Sequence, residues 1–210
     1  GDNDRDQFVP LNRQLNNLQE QIALVPPGSR GELQTRARSV TTVYETISNK
    51  ALTQYRQAQT TAPTPDRRLQ ALTQEFLMTI DLIAARRTPD WSAVTVLQEK
   101  LQDQSSQLPL SSTRLYARLN LAGGVLELQE KNATVVTPED LTALLAQTLQ
   151  DADTLGDRRA KTQALNQLAR LYEQQQQWDI AQEFNEAALA LAQEDGEADL
   201  TYRLLWQLGR

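Results

Sequence analysis

Three groups of carboxylates are the first residues in this chain that invite a chemical reading: Glu139-Asp140, Asp151-x-Asp153 and Glu194-Asp195-x-Glu197. Carboxylate oxygens ligate Ca²⁺, and paired carboxyls serve as acid and base in glycoside hydrolysis. None of the three groups has the spaced Asp/Asn loop with a turn glycine that an EF-hand needs. Glycosidase chemistry needs two carboxyls about 5–9 Å apart in a cleft, and the spacing singles out no pair. The first group is expected at a helix start, where acids favour the macrodipole, and the other two in solvated loops. The chain contains no Cys and no His. Thiolate nucleophiles, Cys-ligated zinc and disulfides are therefore excluded, and so is the commonest general base and metal ligand.

A second set is suited to holding a partner rather than transforming a substrate. Gln163, Asn166, Arg170 and Glu173 recur at intervals of three and four, and Arg203, Trp206 and Arg210 do so further on. On a helix each set forms one stripe. Asn and Gln amides can bond a peptide backbone, Arg can pair with carboxylates, and Trp can anchor an apolar side chain. The alternative is a plain solvent-facing stripe, with Trp206 belonging to a core.

Charge narrows the partner. The formal net charge is −6, and residues 1–105 balance while residues 106–210 carry 9 Lys/Arg against 15 Asp/Glu. Phosphate binding needs a basic face, so no nucleic-acid partner is expected. The pairs Arg67-Arg68, Arg86-Arg87 and Arg158-Arg159 read as solvated helix-end charges. No apolar run approaches the roughly 20 residues of a membrane span. No cofactor is indicated.

The elements that must position these residues are helices. Apolar residues make up 40% of the chain and aromatics only 5%, and Ala, Leu, Gln, Glu and Arg, good helix formers, dominate, with 26 Gln. Turn residues cut the sequence into nine helical segments. These run at about 4–24, 31–60, 65–87, 89–107, 113–130, from Pro138 behind a Thr137 cap, 157–176, 179–193 and from 199 onward. Thr64 before Pro65 and Ser111 or Ser112 are expected caps. The Gln174–Gln177 run is expected to be a polar turn, with Trp178 pinning the following helix. Gly123-Gly124, inside a helix, is expected to allow close helix packing, an open backbone surface for a ligand being the other reading.

The segment Leu165-x-x-Leu168-Ala169-x-x-Tyr172, followed by Ala181-x-x-x-Asn185-x-x-Ala188-Leu189, resembles the tetratricopeptide repeat. Phe184 sits one residue before the aromatic position of that pattern, and no Pro closes the unit. Leu205-x-x-Leu208-Gly209 lies 40 residues after Leu165, and Leu141, Thr148 and Leu149 lie 40 before Ala181, Ala188 and Leu189. The resemblance implies Leu168, Ala169, Tyr172, Ala181, Ala188 and Leu189 buried between two helices. Tyr116-Ala117-Arg118-Leu119-Asn120-Leu121-Ala122, Leu171 to Trp178, and Tyr202-Arg203-x-x-Trp206-Gln207-Leu208-Gly209-Arg210 carry a narrower likeness. Over about 65–210 they resemble the repeat region of large cyanobacterial proteins that end in a caspase-like CHAT domain associated with tetratricopeptide repeats. The catalytic Cys and His of that domain have no counterpart here.

The expected fold is thus all-α: antiparallel helix hairpins stacked as a tetratricopeptide-like right-handed superhelix. An N-terminal hairpin would occupy 1–62 and repeats 63–210, the last one truncated. The expected function is a non-enzymatic scaffold that binds a protein or peptide through Gln163, Asn166, Arg170, Glu173, Arg203 and Trp206 on its concave face, as the docking part of a longer CHAT-type protein. A carboxylate-only hydrolase and a passive spacer are the alternatives. The Leu- and Trp-rich last segment is expected to dimerise or fray, because a repeat unit leaves an apolar face for its neighbour.

Overall fold

A computed structural model describes residues 20–84, 89–131 and 136–208 together with Gln14, Asn17 and Leu18, and for residues 199, 203 and 206–208 the backbone. The α-helices are α1 (Gly31–Thr61), α2 (Pro65–Ala84), α3 (Ser92–Gln107), α4 (Ser112–Glu130), α5 (Pro138–Leu155), α6 (Arg158–Gln174), α7 (Trp178–Glu194) and α8 (Ala198–Leu208), with a short 3-10 turn at Pro27–Ser29. Residues 20–24 are also helical, and there is no strand among the described residues. Of the first expected segment, Leu18 is buried against Val40 of α1; residues 1–13, 15, 16 and 19 lie outside the described residues.

The helix starts follow from local hydrogen bonding. Ser111 Oγ accepts from the Arg114 amide at 3.3 Å, and Thr137 Oγ1 accepts from the Asp140 amide at 3.1 Å. Each satisfies a donor the helix leaves open. The start of α3 differs from expectation. Asp90 Oδ1 accepts from the Ser92 amide at 3.0 Å, so the helix begins at Ser92 rather than Pro89.

Three helix ends share one closure. At Gly156 and Gly196 the chain turns left-handed, with φ of 66° and 69°. The next residue's amide then reaches back to Ala152 and Ala192 respectively. The end of α6 makes the same turn with Gln176 at φ 60°, and Gln177 donates to the Tyr172 carbonyl at 2.9 Å. A side chain in that conformation is strained, which glycine avoids. Gln176→Gly is expected to raise stability by about 1 kcal/mol, measured by urea denaturation; a destabilised variant would show the turn is held by the glutamine side chain.

Packing has a simple order. α2, α4 and α6 form a row, and α3, α5 and α7 each pack on the helix before and the helix after. The buried residues of those three helices repeat one pattern. Val94, Gln98, Leu101 and Ser105 on α3 are matched by Leu141, Leu145, Thr148 and Ala152 on α5, and by Ala181, Asn185, Ala188 and Ala192 on α7. Spacings of four, three and four place each set on one helix face. The step between sets is 47 residues from α3 to α5 and 40 from α5 to α7. The 40-residue period read from the sequence therefore holds only for the last step.

Leu168, Ala169, Ala181 and Ala188 are buried as expected, whereas Tyr172 and Leu189 are half-buried. Tyr172 stacks on Phe184 with ring centroids 5.5 Å apart. Phe184 thus does the aromatic packing from one residue earlier, and Asn185 takes the buried position. Trp178 is a correction. It is 63% exposed rather than buried under the following helix, and the left-handed Gln176 makes the turn. Ala181 is 2% exposed, so Ala181→Trp is expected to cost about 1–3 kcal/mol by overpacking. An unchanged melting temperature would mean that α6 and α7 do not meet through this face.

Gly123 and Gly124 explain how α4 fits in the middle of the row. A Cβ on Gly124 would lie 2.5 Å from Phe76 Cε1 and 2.8 Å from Ile80 Cδ1 of α2, and one on Gly123 would lie 3.1 Å from Gln167 Nε2 of α6. The packing reading holds for both. α1 joins the stack through Tyr44, Ala51 and Leu52 against Met78 and Leu82. Buried Glu75 of α2 accepts from Arg56 Nε and Gln59 Nε2 of α1, each at 2.6 Å.

Candidate functional site

The row α2–α4–α6 keeps a face on which polar side chains are half-buried rather than part of the apolar core. On α6 that face carries Gln163, Asn166, Arg170 and Glu173, all half-buried and all on one side of the helix. The periodicity explains why: Leu165, Leu168 and Ala169 turn into the core and leave this stripe outward. Arg170 Nη2 donates to Glu130 Oε1 of α4 at 2.7 Å, and Glu173 Oε1 accepts from Asn185 Nδ2 of α7 at 3.0 Å. The side chains of Arg203 and Trp206 lie outside the described residues. In the same helix Leu204 is buried, while Tyr202 and Leu205 are exposed.

The α4 and α6 helices run the same way at a fixed height. Gln167 Nε2 donates to the Leu119 carbonyl at 3.0 Å and Gln174 Nε2 to the Leu126 carbonyl at 3.2 Å. Both donors and both acceptors are seven residues apart, so the two helices keep register over two turns.

That register aligns residues which a reading of α6 alone misses. Gln74 on α2, Asn120 on α4 and Asn166 on α6 are half-buried and 46 residues apart. Seven residues further along each helix stand Asp81, Glu127 and Glu173, again half-buried and 46 apart. The face therefore bears an amide row and, about 10 Å away at 1.5 Å per residue, a carboxylate row. Both rows cross three helices whose axes lie about 8–10 Å apart. Burial first, and then the charge of Asp81, raises the Tyr44 hydroxyl of α1 above its ordinary value, and Glu127 acts in the same direction. Two members of the carboxylate row thus act on one group at the edge of the face. The signal available in the sequence was the 46-residue spacing of like residues, hidden because the step changes to 40 beyond α6.

The three carboxylate groups first singled out are accounted for locally. Glu139 and Asp140 lie in the first turn of α5, as expected. Asp151 and Asp153 are not in a loop but in α5, where Asp153 pairs with Lys161 at 2.6 Å and Asp151 is buried. Glu194 and Asp195 pair with Arg158 at 2.6 and 2.7 Å, and Glu197 with Arg159 at 3.8 Å. Arg158-Arg159 are accordingly ion-paired across the α6–α7 hairpin rather than simply solvated; Arg86-Arg87 lie outside the described residues. Among the described residues no helix is long and apolar enough to cross a membrane. Comparison with protein families and with characterised proteins finds no match.

Proposed function

We propose that this chain is a protein-interaction module of the tetratricopeptide kind, which holds a peptide or protein segment on the open face of α2, α4 and α6, the concave side of a right-handed superhelix. The observation that supports this reading is the repetition of one polar pattern on three parallel, adjacent helices, with half-buried side chains that pack into no core. An amide has two donors and two acceptor sites, so Gln74, Asn120 and Asn166 retain bonding capacity for a backbone beyond any internal bond. Arg170 and Glu173 extend the same face, and Arg203 and Trp206 of α8 would continue it. The motifs shared with the repeat region of CHAT-type proteins support a docking or regulatory role in a longer protein of that kind.

The test is a pull-down with the wild-type chain beside a double variant, Asn166→Ala with Trp206→Ala, each checked by circular dichroism. The expected result is a partner retained by the wild type and lost by the variant. Equal retention by both would remove this face from the interaction. The exposed Tyr202 and Leu205 of α8 favour self-association as well; light scattering is expected to show a dimer that Leu205→Glu dissolves.

A further inference from the structure

We infer that the cleft between the end of α1 and the start of α2 is a binding site for a small aromatic carboxylic acid. The cleft has a volume of about 510 Å³, within the roughly 300–1,000 Å³ usual for small-molecule sites. It stands apart from the docking role proposed above, since Gln74 alone is common to both.

The two walls of the cleft differ in chemistry. Tyr55 and Ala58 of α1, with Ala62 and Pro63 just beyond its end, form an apolar wall. Spacings of three and four bring Tyr55, Ala58 and Ala62 to one side of the helix end. The small side chains leave room for a flat ring, which Tyr55 can meet ring to ring. Arg67, Gln70 and Gln74 of α2, again at spacings of three and four, form the polar wall. At 1.5 Å per residue they span about 10 Å of the helix. Arg68 Nε donates to the Ala62 carbonyl at 2.9 Å. That bond ties the connection between the helices to α2 and holds the walls in place.

Charge selects the ligand. The formal net charge of the chain is −6, yet the cleft is lined by a cation and by no carboxylate. The nearest acids along α2 are engaged elsewhere. Asp66 accepts from Ser111 Oγ at 3.4 Å, and Glu75 accepts from Arg56 and Gln59 of α1. Among the described residues, the side chains of Arg67, Gln70 and Gln74 have no hydrogen bond or ion pair. A guanidinium grips a carboxylate through two parallel N–H···O bonds. The amides one and two turns further on can donate to another oxygen of the same ligand. An inorganic anion would satisfy Arg67 and leave the apolar wall wet, whereas an aromatic acid uses both walls.

The experiment is a heteronuclear NMR titration of the whole chain with phenoxyacetate, beside the neutral phenoxyacetamide and acetate. Phenoxyacetate should bind saturably with a Kd near about 1 mM, ordinary for a ligand of its size, with shifts centred on residues 55–74. Phenoxyacetamide should bind about fivefold more weakly, the upper end for an exposed ion pair, and acetate should not saturate. Arg67→Gln should equalise the two aromatic ligands while keeping the wild-type circular dichroism spectrum. Ala58→Leu, which fills the apolar wall, should weaken both. The inference is overturned by non-saturating phenoxyacetate, by equal affinity for the acid and the amide, or by a preference that survives Arg67→Gln. Shifts centred elsewhere on the chain overturn it as well.

Discussion

Asp151→Ala is expected to destabilise the fold by about 3–5 kcal/mol, because it strands two guanidinium groups away from water. Asp151 Oδ2 accepts from Arg118 Nη1 at 2.8 Å and lies 3.6 Å from Arg114 Nη2, and its Oδ1 accepts from Gln147 Nε2 at 3.1 Å. Arg118 and Asp151 are both buried. Burial, followed by the charge of Arg114, pulls the Arg118 guanidinium below its ordinary value, and Asp151 opposes both. Without the carboxylate nothing does. The loss amounts to roughly 6–20 °C in melting temperature for a chain of this size, readable by calorimetry. The control is to remove the whole cluster. A variant with Arg114→Met, Arg118→Met and Asp151→Leu is expected to recover most of the loss, since apolar replacement of buried ions is often neutral or stabilising. If Asp151→Ala melts with the wild type, water reaches the guanidiniums and the α4–α5 contact is looser than the burial shows.

Gly124→Leu is expected to have a comparable effect by a steric route. Helix propensity alone favours replacing a mid-helix glycine, by about 1 kcal/mol for alanine. Packing decides otherwise. The Cβ alone falls 2.5 Å from the fully buried ring of Phe76, and a leucine adds three further carbons. The expected loss is at or beyond the upper end of the roughly 1–3 kcal/mol typical of overpacking, with α2 and α4 forced apart. Gly123→Ala, one residue away, is the comparison. Its nearest obstacle is the end of the flexible Gln167 side chain, so propensity gain and the lost Gln167 bond nearly cancel. Urea denaturation of both variants tests the assignment. Equal effects would mean that α4 is rotated from the orientation described.

The helices and their order were legible in the sequence because they depend on local chemistry. A cap such as Thr137 acts within one helical turn, and it sets a boundary close to that observed. The α6 stripe of Gln163, Asn166, Arg170 and Glu173 was equally legible, since helical periodicity turns it away from Leu165 and Leu168. Where locality failed, so did the reading. Trp178 was placed by its residue type, yet its exposure depends on what α7 meets. Asp151, which looked like a loop acid, is buried because Arg118 waits on the neighbouring helix. The tertiary structure alone decided that α4 and α6 stand in register. Side chains of Gln167 and Gln174, 48 residues beyond the carbonyls they hold, fix that height. No one-dimensional periodicity specifies it, because register is set by which residues are small enough to let backbones approach. Gly123 and Gly124 supply that room, and only the register turns separate stripes into one face.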